Sequence, residues 1–298
     1  MAPTRLVIDC DPGIDDAIAL LLAAASTELQ LEAVTAVGGN NGLDRTAPNA
    51  LRILELAGRS DVPVSAGAGR PLVWPLEQRA TAVHGVDGLG DAGLGEPAGS
   101  LDGRHAADVL GGLDGATLVA IGPLTNVALA LARRPEAARG IRRVVWMGGG
   151  FSGGNVTPAA EFNAWWDPEA AARVVQAGLD LVIVPLDATK DATVTATEIA
   201  RLGPEAAAML GYYLRFYTAT YGREECRLHD PLAVAVLLDE SLVELHEMRV
   251  EVDCTRDVSR GATLGDRRLR TGPANARVAV AADTERFRRL IVDRLAVS

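Results

Sequence analysis

Short apolar runs alternate with segments of helical spacing along most of this chain of 298 residues. The run Leu6–Cys10 precedes helical spacing over Asp15–Ala25, and Leu31–Val37 precedes helical spacing over Asp44–Ala57. Repeated strand–helix units predict an α/β fold with a mostly parallel central sheet and helices on both faces, which is a Rossmann-like arrangement. Ligands bind such sheets outside the carboxyl ends of the strands, so we expect an active site there.

The second half of the chain has a different pattern. It predicts helices over Pro204–Tyr221 and Asp230–Glu240, and strands or a hairpin at Val250–Asp253, Ala262–Leu269 and Val278–Ala281, before a final helix. The chain contains no linker, low-complexity tract or internal repeat. We therefore predict a single domain over residues 1–298.

Composition narrows the class of partner. A formal net charge of −10 repels phosphate backbones, which argues against nucleic acid as a partner. No apolar run approaches the roughly 20 residues that span a bilayer, so we expect no membrane association. No basic segment followed by a long apolar stretch opens the chain, so we predict a cytoplasmic protein. Cys10, Cys226 and Cys254 are odd in number and far apart, which indicates reduced thiols.

Four carboxylates follow the first predicted strand within eight residues: Asp9, Asp11, Asp15 and Asp16. The turn after the strand folds Asp11 back towards Asp15 at the start of the next helix. Unpaired, such carboxylates would repel one another and some would have to be protonated. A hard divalent cation relieves this repulsion, and calcium takes about six to eight oxygen ligands. The cluster therefore predicts a calcium site.

Two other interpretations of this segment remain open. An Asp at a helix start is a common cap, although capping explains one carboxylate better than four. A strand followed by Asp-x-Asp also opens the phosphatases of the haloacid dehalogenase type, which use the first Asp as nucleophile. That family continues with Gly-Thr-type residues, whereas Pro12-Gly13-Ile14-Asp15-Asp16 stands here.

Further polar residues follow the later strands. The glycine-rich stretch 148–154 lacks both the Lys-Ser/Thr ending of a P-loop and the spacing of a dinucleotide fingerprint. The same loop carries Asn155, Glu161 and Asn163, whose two amides and one carboxylate suit a polyhydroxylated sugar. Asn40 follows the second strand, where it could bind a hydroxyl or serve as a turn residue.

Seven segments between Asp9 and Ala235 are distinctive: DCDPGIDDAIAL, VGGN, HGVDGLG, GPLTNVALA, VVWMGGG, GNVTPAAEFNAWWDPEAA and HDPLAVA. In this order they resemble the inosine–uridine preferring nucleoside hydrolases, which are calcium-dependent nucleoside N-ribohydrolases. The resemblance covers most of the chain. It implies an enzyme of purine or pyrimidine salvage that hydrolyses ribonucleosides to free base and ribose and that forms a homodimer or homotetramer.

The resemblance also implies roles for individual residues. Calcium would be held by Asp11, Asp15, Asp16, Asp230 and the backbone carbonyl of Thr125, whose side chain could cap a helix. The ribonucleoside would be bound by Asp15, Asn40, His84, Asn155, Glu161, Phe162 and Asn163. His229 would lie near the leaving base, and imidazole is suited to proton donation near neutral pH.

These roles lead to a hypothesis for the mechanism. We expect a transition state of oxocarbenium character, as in glycoside hydrolysis. A calcium-bound water would attack C1′ with Asp11 as general base, while His229 assists departure of the base as acid or hydrogen-bond donor. A catalytically silent, calcium-dependent ribose- or nucleoside-binding protein would keep the same binding residues and is the main alternative.

The sequence does not choose between purine and pyrimidine bases, although His84 and His229 favour an enzyme that is not exclusive to purines. Some positions depart from the family or lack an assigned role. Val86 stands where an acidic residue is usual, and Trp165 and Trp166 stand where small or aliphatic residues are common. Tyr217, Tyr221 and Arg223 lie where relatives recruit residues of the base pocket.

Overall fold

The computed structural model describes residues 2–74, 80–266, 268 and 272–296. Within these ranges the chain forms eleven strands: β1 (Thr4–Cys10), β2 (Leu29–Ala36), β3 (Val64–Ala66), β4 (Ala116–Ala120), β5 (Ile141–Met147), β6 (Leu181–Val184), β7 (Thr193–Thr195), β8 (Glu225–Arg227), β9 (Val243–Val252), β10 (Thr263–Asp266) and β11 (Ala276–Ala282).

The same ranges contain thirteen α-helices: α1 (Ile14–Ala25), α2 (Leu43–Leu56), α3 (Thr81–His84), α4 (Ala106–Gly111), α5 (Thr125–Arg133), α6 (Ala137–Gly140), α7 (Phe162–Trp166), α8 (Pro168–Val175), α9 (Leu186–Thr189), α10 (Ala196–Ile199), α11 (Pro204–Tyr221), α12 (His229–Leu238) and α13 (Thr284–Leu295). A short 3₁₀ helix covers Glu240–Leu242.

The main sheet has nine strands in the order β10-β9-β11-β6-β5-β4-β1-β2-β3. Pairing is parallel from β3 through β1 to β11, whereas β9 runs antiparallel to both β11 and β10. The short strands β7 and β8 form a separate antiparallel pair. The mostly parallel sheet that the strand–helix alternation predicts is therefore confirmed.

Helices cover both faces of the main sheet. Along β5, Val144 belongs to one hydrophobic core and Val145 to the other, because successive side chains of a strand point to opposite faces. Helices α1, α11, α12 and α13 contribute to the core that contains Val145, and α4, α5 and α8 to the core that contains Val144. The predicted single-domain α/β class with helices on both faces is confirmed.

Most elements lie where the sequence predicts them. Helix α11 begins at Pro204, whose missing N–H costs nothing at a first helical position, and Gly222 with φ 64° follows its last residue. Strand β9 begins at Val243, several residues before the predicted strand at Val250. The predicted strand Ala262–Leu269 is seen as β10, and its residues 267 and 269 lie outside the described part of the chain.

In the described ranges, none of the helices is long and apolar enough to cross a membrane.

The final helix gives a test of the predicted domain limits. Phe287 of α13 is fully buried in the same core as α1 and α12, so Phe287→Ala should lower the free energy of unfolding by about 3–5 kcal/mol. Urea unfolding followed by circular dichroism would measure this, with one cooperative transition for the whole chain. Val258→Ala, at a side chain that is 87% exposed, is the control and should change stability by about 0.5 kcal/mol or less. A separate transition for α13 would contradict a single domain over residues 1–298.

Candidate active site

The loops after five parallel strands meet at one edge of the sheet. A cavity of about 780 Å³ opens there. Its lining includes Asp15 in the helix after β1, Asn40 after β2, Ile121 after β4, Met147 at the end of β5 and Leu186 after β6. The cavity therefore lies at the carboxyl ends of the strands, where ligands bind in sheets of this kind.

Three carboxylates meet at this edge of the sheet. Asp15, Asp16 and Asp230 are buried, and each offers an oxygen within 4.8 Å of the others. Asp15 and Asp16 lie in the first turn of α1 and Asp230 in the first turn of α12, and the two helices pack against each other. Both helices thus direct the positive ends of their dipoles towards the carboxylates.

Asp11 completes the acidic region from the turn after β1. Its Oδ2 accepts a hydrogen bond from the backbone N–H of Asn40 at 2.6 Å, whereas its Oδ1 is buried without a hydrogen-bond partner. Gly39 and Gly122 pass so close to this carboxylate that a Cβ atom at either would collide with it. An unpaired buried carboxylate oxygen is costly, and a bound cation would satisfy it.

Burial raises the pKa of all four carboxylates, and their mutual repulsion raises the pKa values of Asp11, Asp15 and Asp230 further. For Asp16 burial raises the pKa to about 6, and hydrogen bonds from the backbone N–H groups of Gly13 and Asp11 limit the rise. Such a set of oxygen ligands fits a hard divalent cation, which favours the ionised carboxylates over protons.

Asp9 lies apart from this region. Its Oδ1 accepts hydrogen bonds from Thr35 Oγ1 at 2.6 Å and from Asn126 Nδ2 at 2.8 Å. Burial raises its pKa to about 7, although these two hydrogen bonds lower it again in part. Asp9 thus joins β1 to β2 and to the start of α5, which is a structural role.

Thr125 is the first residue of α5, and its hydroxyl donates to Asp167 Oδ2 at 2.7 Å. The side chain therefore does not cap α5, which was one reading of the sequence. The role of its backbone carbonyl as a metal ligand stays a prediction.

The loop after β5 presents the polar residues that the sequence assigns to a sugar. Glu161 is buried and caps α7, accepting from the backbone N–H groups of Asn163, Ala164 and Gly149. Burial raises its pKa to about 7, and these amides limit the rise. Asn163 Nδ2 donates to the carbonyls of Ile121 and Met147, each at 3.0 Å, which leaves its Oδ1 for a ligand.

Asn155 Oδ1 accepts from the backbone N–H of Phe162 at 2.9 Å, and both residues line the cavity. The ring of Phe162 packs 5.7 Å from Trp166 and 6.3 Å from Trp165. Trp166 is buried, and Trp165 does not line the cavity, so the two tryptophans pack behind the loop rather than stack on a base.

Two histidines also line the cavity, as uncharged rings. Burial lowers the pKa of His84 to about 4, and its Nδ1 accepts from the backbone N–H of Ile14. For His229 burial, together with the charge of Arg227, lowers the pKa to about 3. Its Nδ1 lies 2.7 Å from Thr189 Oγ1 and its Nε2 3.2 Å from Tyr217 Oη. His229 is therefore a hydrogen-bonding group, which differs from the expected titration near neutral pH.

An aromatic wall from α11 faces these histidines. Tyr213 stacks on His84 with ring centroids 5.8 Å apart, and Tyr217 meets Tyr213 edge-on at 5.0 Å. The sequence analysis did not single out Tyr213, Phe216 or Arg227, all of which line the cavity together with Tyr217, Tyr221 and Arg223. The spacing of Tyr213, Phe216 and Tyr217 places them on one helical face and could have indicated this wall. Val86 is 71% exposed and does not line the cavity.

Known proteins match the chain over nearly its whole length. A model of the family described as inosine-uridine preferring nucleoside hydrolase matches residues 6–289. The pyrimidine-specific ribonucleoside hydrolase RihA of Shewanella sp. strain MR-7 is 40% identical, over 98% of this chain and 96% of its own. The inosine-uridine preferring nucleoside hydrolase of Leishmania major is 37% identical over 98% of both chains.

Solved structures agree. The purine-preferring ribonucleoside hydrolase from Gardnerella vaginalis has a TM-score of 0.93 at 31% identity, covering 98% of each chain. The plant nucleoside hydrolase PpNRh1 has a TM-score of 0.93 at 33% identity, covering 99% of this chain and 100% of its own. These matches give no support to the haloacid dehalogenase alternative.

The acidic region predicts a pH-dependent response to cations. An Asp of the unfolded chain ionises near 3.8, whereas Asp16 in the cation-free fold ionises near 6. Between these values the unfolded chain loses its proton first, so the cation-free fold becomes less stable as the pH rises. A bound cation would neutralise the carboxylates in place of these protons and so restore the lost stability. We therefore expect calcium, compared with a chelator, to raise the melting temperature more at pH 8 than at pH 5. A calcium effect equal at both pH values would contradict this, and Asp230→Asn should weaken the effect at both.

Proposed function

Because the chain belongs to the inosine–uridine preferring nucleoside hydrolase family and is a nucleoside N-ribohydrolase, we propose that it cleaves ribonucleosides at this cavity with the help of calcium. The observation that carries the proposal is the buried acidic region beside a polar cavity. Asp11 Oδ1 lacks a partner there, and three further carboxylates converge.

The calcium ligands in this proposal are the carboxylates of Asp11, Asp15, Asp16 and Asp230 and the carbonyl of Thr125. Bound calcium would supply an electrophile that lowers the pKa of water and anchors the sugar hydroxyls. Oxygen donors alone, all from carboxylates or a carbonyl, favour a hard cation of this kind over zinc.

The sugar is held, in this proposal, by groups fixed before it arrives. Glu161 and Asn163 are locked by backbone hydrogen bonds, and Asn40 is held through Asp11 and Asp16. Such groups need no reorganisation on binding, so hydrogen bonds to the ribose hydroxyls can orient C1′ for attack. Asp15, Asn155 and Phe162 complete this side of the cavity.

Asp11 takes a proton from the attacking water as the oxygen forms its bond to C1′. The glycosidic bond breaks through an oxocarbenium-like transition state, and its electron pair leaves with the base nitrogen, which then gains a proton. With a cation bound, Asp11 stays ionised, so its carboxylate can accept this proton. General base assistance of this kind contributes about 10²–10⁴-fold to rate.

At the leaving-group end, His229 and His84 act on the base as neutral hydrogen-bonding groups in this proposal. Thr189 orients His229 through Nδ1, and Nε2 exchanges its 3.2 Å contact with Tyr217 Oη for the base. The homodimer or homotetramer implied by the resemblance and the cytoplasmic location predicted from the sequence are part of the same proposal.

The proposed activity is tested directly with purified protein. Incubation with inosine, uridine and cytidine in calcium should release free base and ribose, and a chelator should abolish the release. Chromatography of the products measures both. Nucleoside binding without release of base in any reaction would favour the silent binding protein.

The role of Asp11 has its own test. Asp11→Asn should lower kcat by about 10²–10⁴-fold, because the amide cannot accept the proton from water. Asp44→Asn, at an exposed residue of α2, is the matched control and should keep full activity. Thermal unfolding separates loss of chemistry from loss of fold. An Asp11→Asn variant that is folded and nearly as active as the parent would exclude Asp11 as the base.

A further inference from the structure

Arg227 is a cavity residue whose charge has no partner in the described part of the chain. It is the last residue of β8, where Cys226 points into the core and Arg227 lines the active-site cavity. Its Nε is buried and makes no hydrogen bond. In the described part of the chain, no ion pair or side-chain hydrogen bond involves its guanidinium.

The neighbouring carboxylate on the strand is already occupied. Glu225 accepts from Arg288 at 2.9 Å and from Thr193 Oγ1 at 3.0 Å, and Arg223 lies 3.6 Å away. A purely structural arginine would share such a carboxylate, since a buried donor without a partner costs free energy. The arrangement at Arg227 fits a donor kept available for a ligand.

The position of Arg227 is the leaving-group end of the cavity. It is two residues from His229, and its charge acts on both His229 and Tyr217. Both ring nitrogens of His229 already have partners, and His84 Nδ1 is occupied by Ile14 N–H. The guanidinium therefore offers this end a permanently charged set of donors.

We propose that Arg227 is a specificity-determining residue that donates hydrogen bonds to a ring carbonyl of the nucleobase, at the position where cytosine and adenine carry an amino group. This inference rests on the proposed function. A guanidinium has donors only, so it pairs with an oxo group and opposes an amino group. The base leaves with the electron pair of the glycosidic bond, and the growing negative charge on its carbonyl oxygen strengthens the interaction in the transition state.

The test compares two pairs of nucleosides whose bases differ mainly at that position. For wild type, kcat/KM should be higher for uridine than for cytidine and for inosine than for adenosine. Arg227→Met keeps the length of the side chain but removes its donors and charge, so both ratios should fall about 10-fold or more. Arg227→Lys keeps the charge and should give intermediate ratios. This variant also tests the inference if the Met variant is poorly folded.

A substrate without a nucleobase separates recognition from structure. p-Nitrophenyl β-D-ribofuranoside has neither the oxo nor the amino group, so Arg227→Met should hydrolyse it within about 3-fold of wild type. Arg215→Met is the matched control, because Arg215 is an exposed arginine of α11 that does not line the cavity, and its ratios should be those of wild type.

Two results would overturn the inference while leaving the proposed function intact. These are unchanged ratios in Arg227→Met, or an equal loss on all substrates including the nitrophenyl riboside. A wild-type protein that hydrolyses none of the nucleosides would instead refute the proposed function, and this inference with it.

Discussion

The burial of several carboxylates at one edge of the sheet is the constraint on which the site depends. Asp11, Asp15, Asp16 and Asp230 are all buried, and the free energy that their repulsion costs must come from the rest of the fold. Strand β1 lies inside the sheet between β4 and β2, so the turn after β1 is enclosed by neighbouring loops. Packing of α1 against α12 joins carboxylates more than two hundred residues apart in sequence. A bound cation would offset this repulsion, so the stability of the fold would depend on the cation.

The polar residues that we propose bind the sugar are held by backbone hydrogen bonds, and charge repulsion plays no comparable part there. In the described ranges no charged side chain hydrogen-bonds to Glu161 or Asn163, and their positions are set by backbone N–H and carbonyl groups at the ends of β4, β5 and α7. These hydrogen bonds cost little to maintain, because strand ends and helix starts leave backbone groups unpaired in any case. Backbone groups at the strand ends therefore hold in place the polar side chains that we propose bind ribose.

The sequence predicted the strand–helix order well because hydrophobic period reports burial directly, as at β1, α1, β2 and α2. It also predicted that the loops after these strands carry the polar residues. It missed β3, β7 and β8, which have three residues each and are too short to show a period. Arg227 was missed because its place in the cavity depends on how β8 packs, and local pattern does not contain that information. Tyr213 was also missed, although its helical spacing with Phe216 and Tyr217 could have indicated the aromatic wall. The neutral state of His229 likewise depends on its burial between Thr189 and Tyr217.

The two ends of the cavity are built on different parts of the fold. The carboxylates and the residues that we propose bind ribose stand on elements tied to the main sheet. The aromatic wall and Arg227 stand on α11 and on the separate β7–β8 pair. Relatives at 40% and 31% identity are named pyrimidine-specific and purine-preferring. We expect residues that set base choice to lie on these elements outside the main sheet. Arg227 stands on the β7–β8 pair and lines the cavity, and its buried Nε makes no hydrogen bond in the described part of the chain.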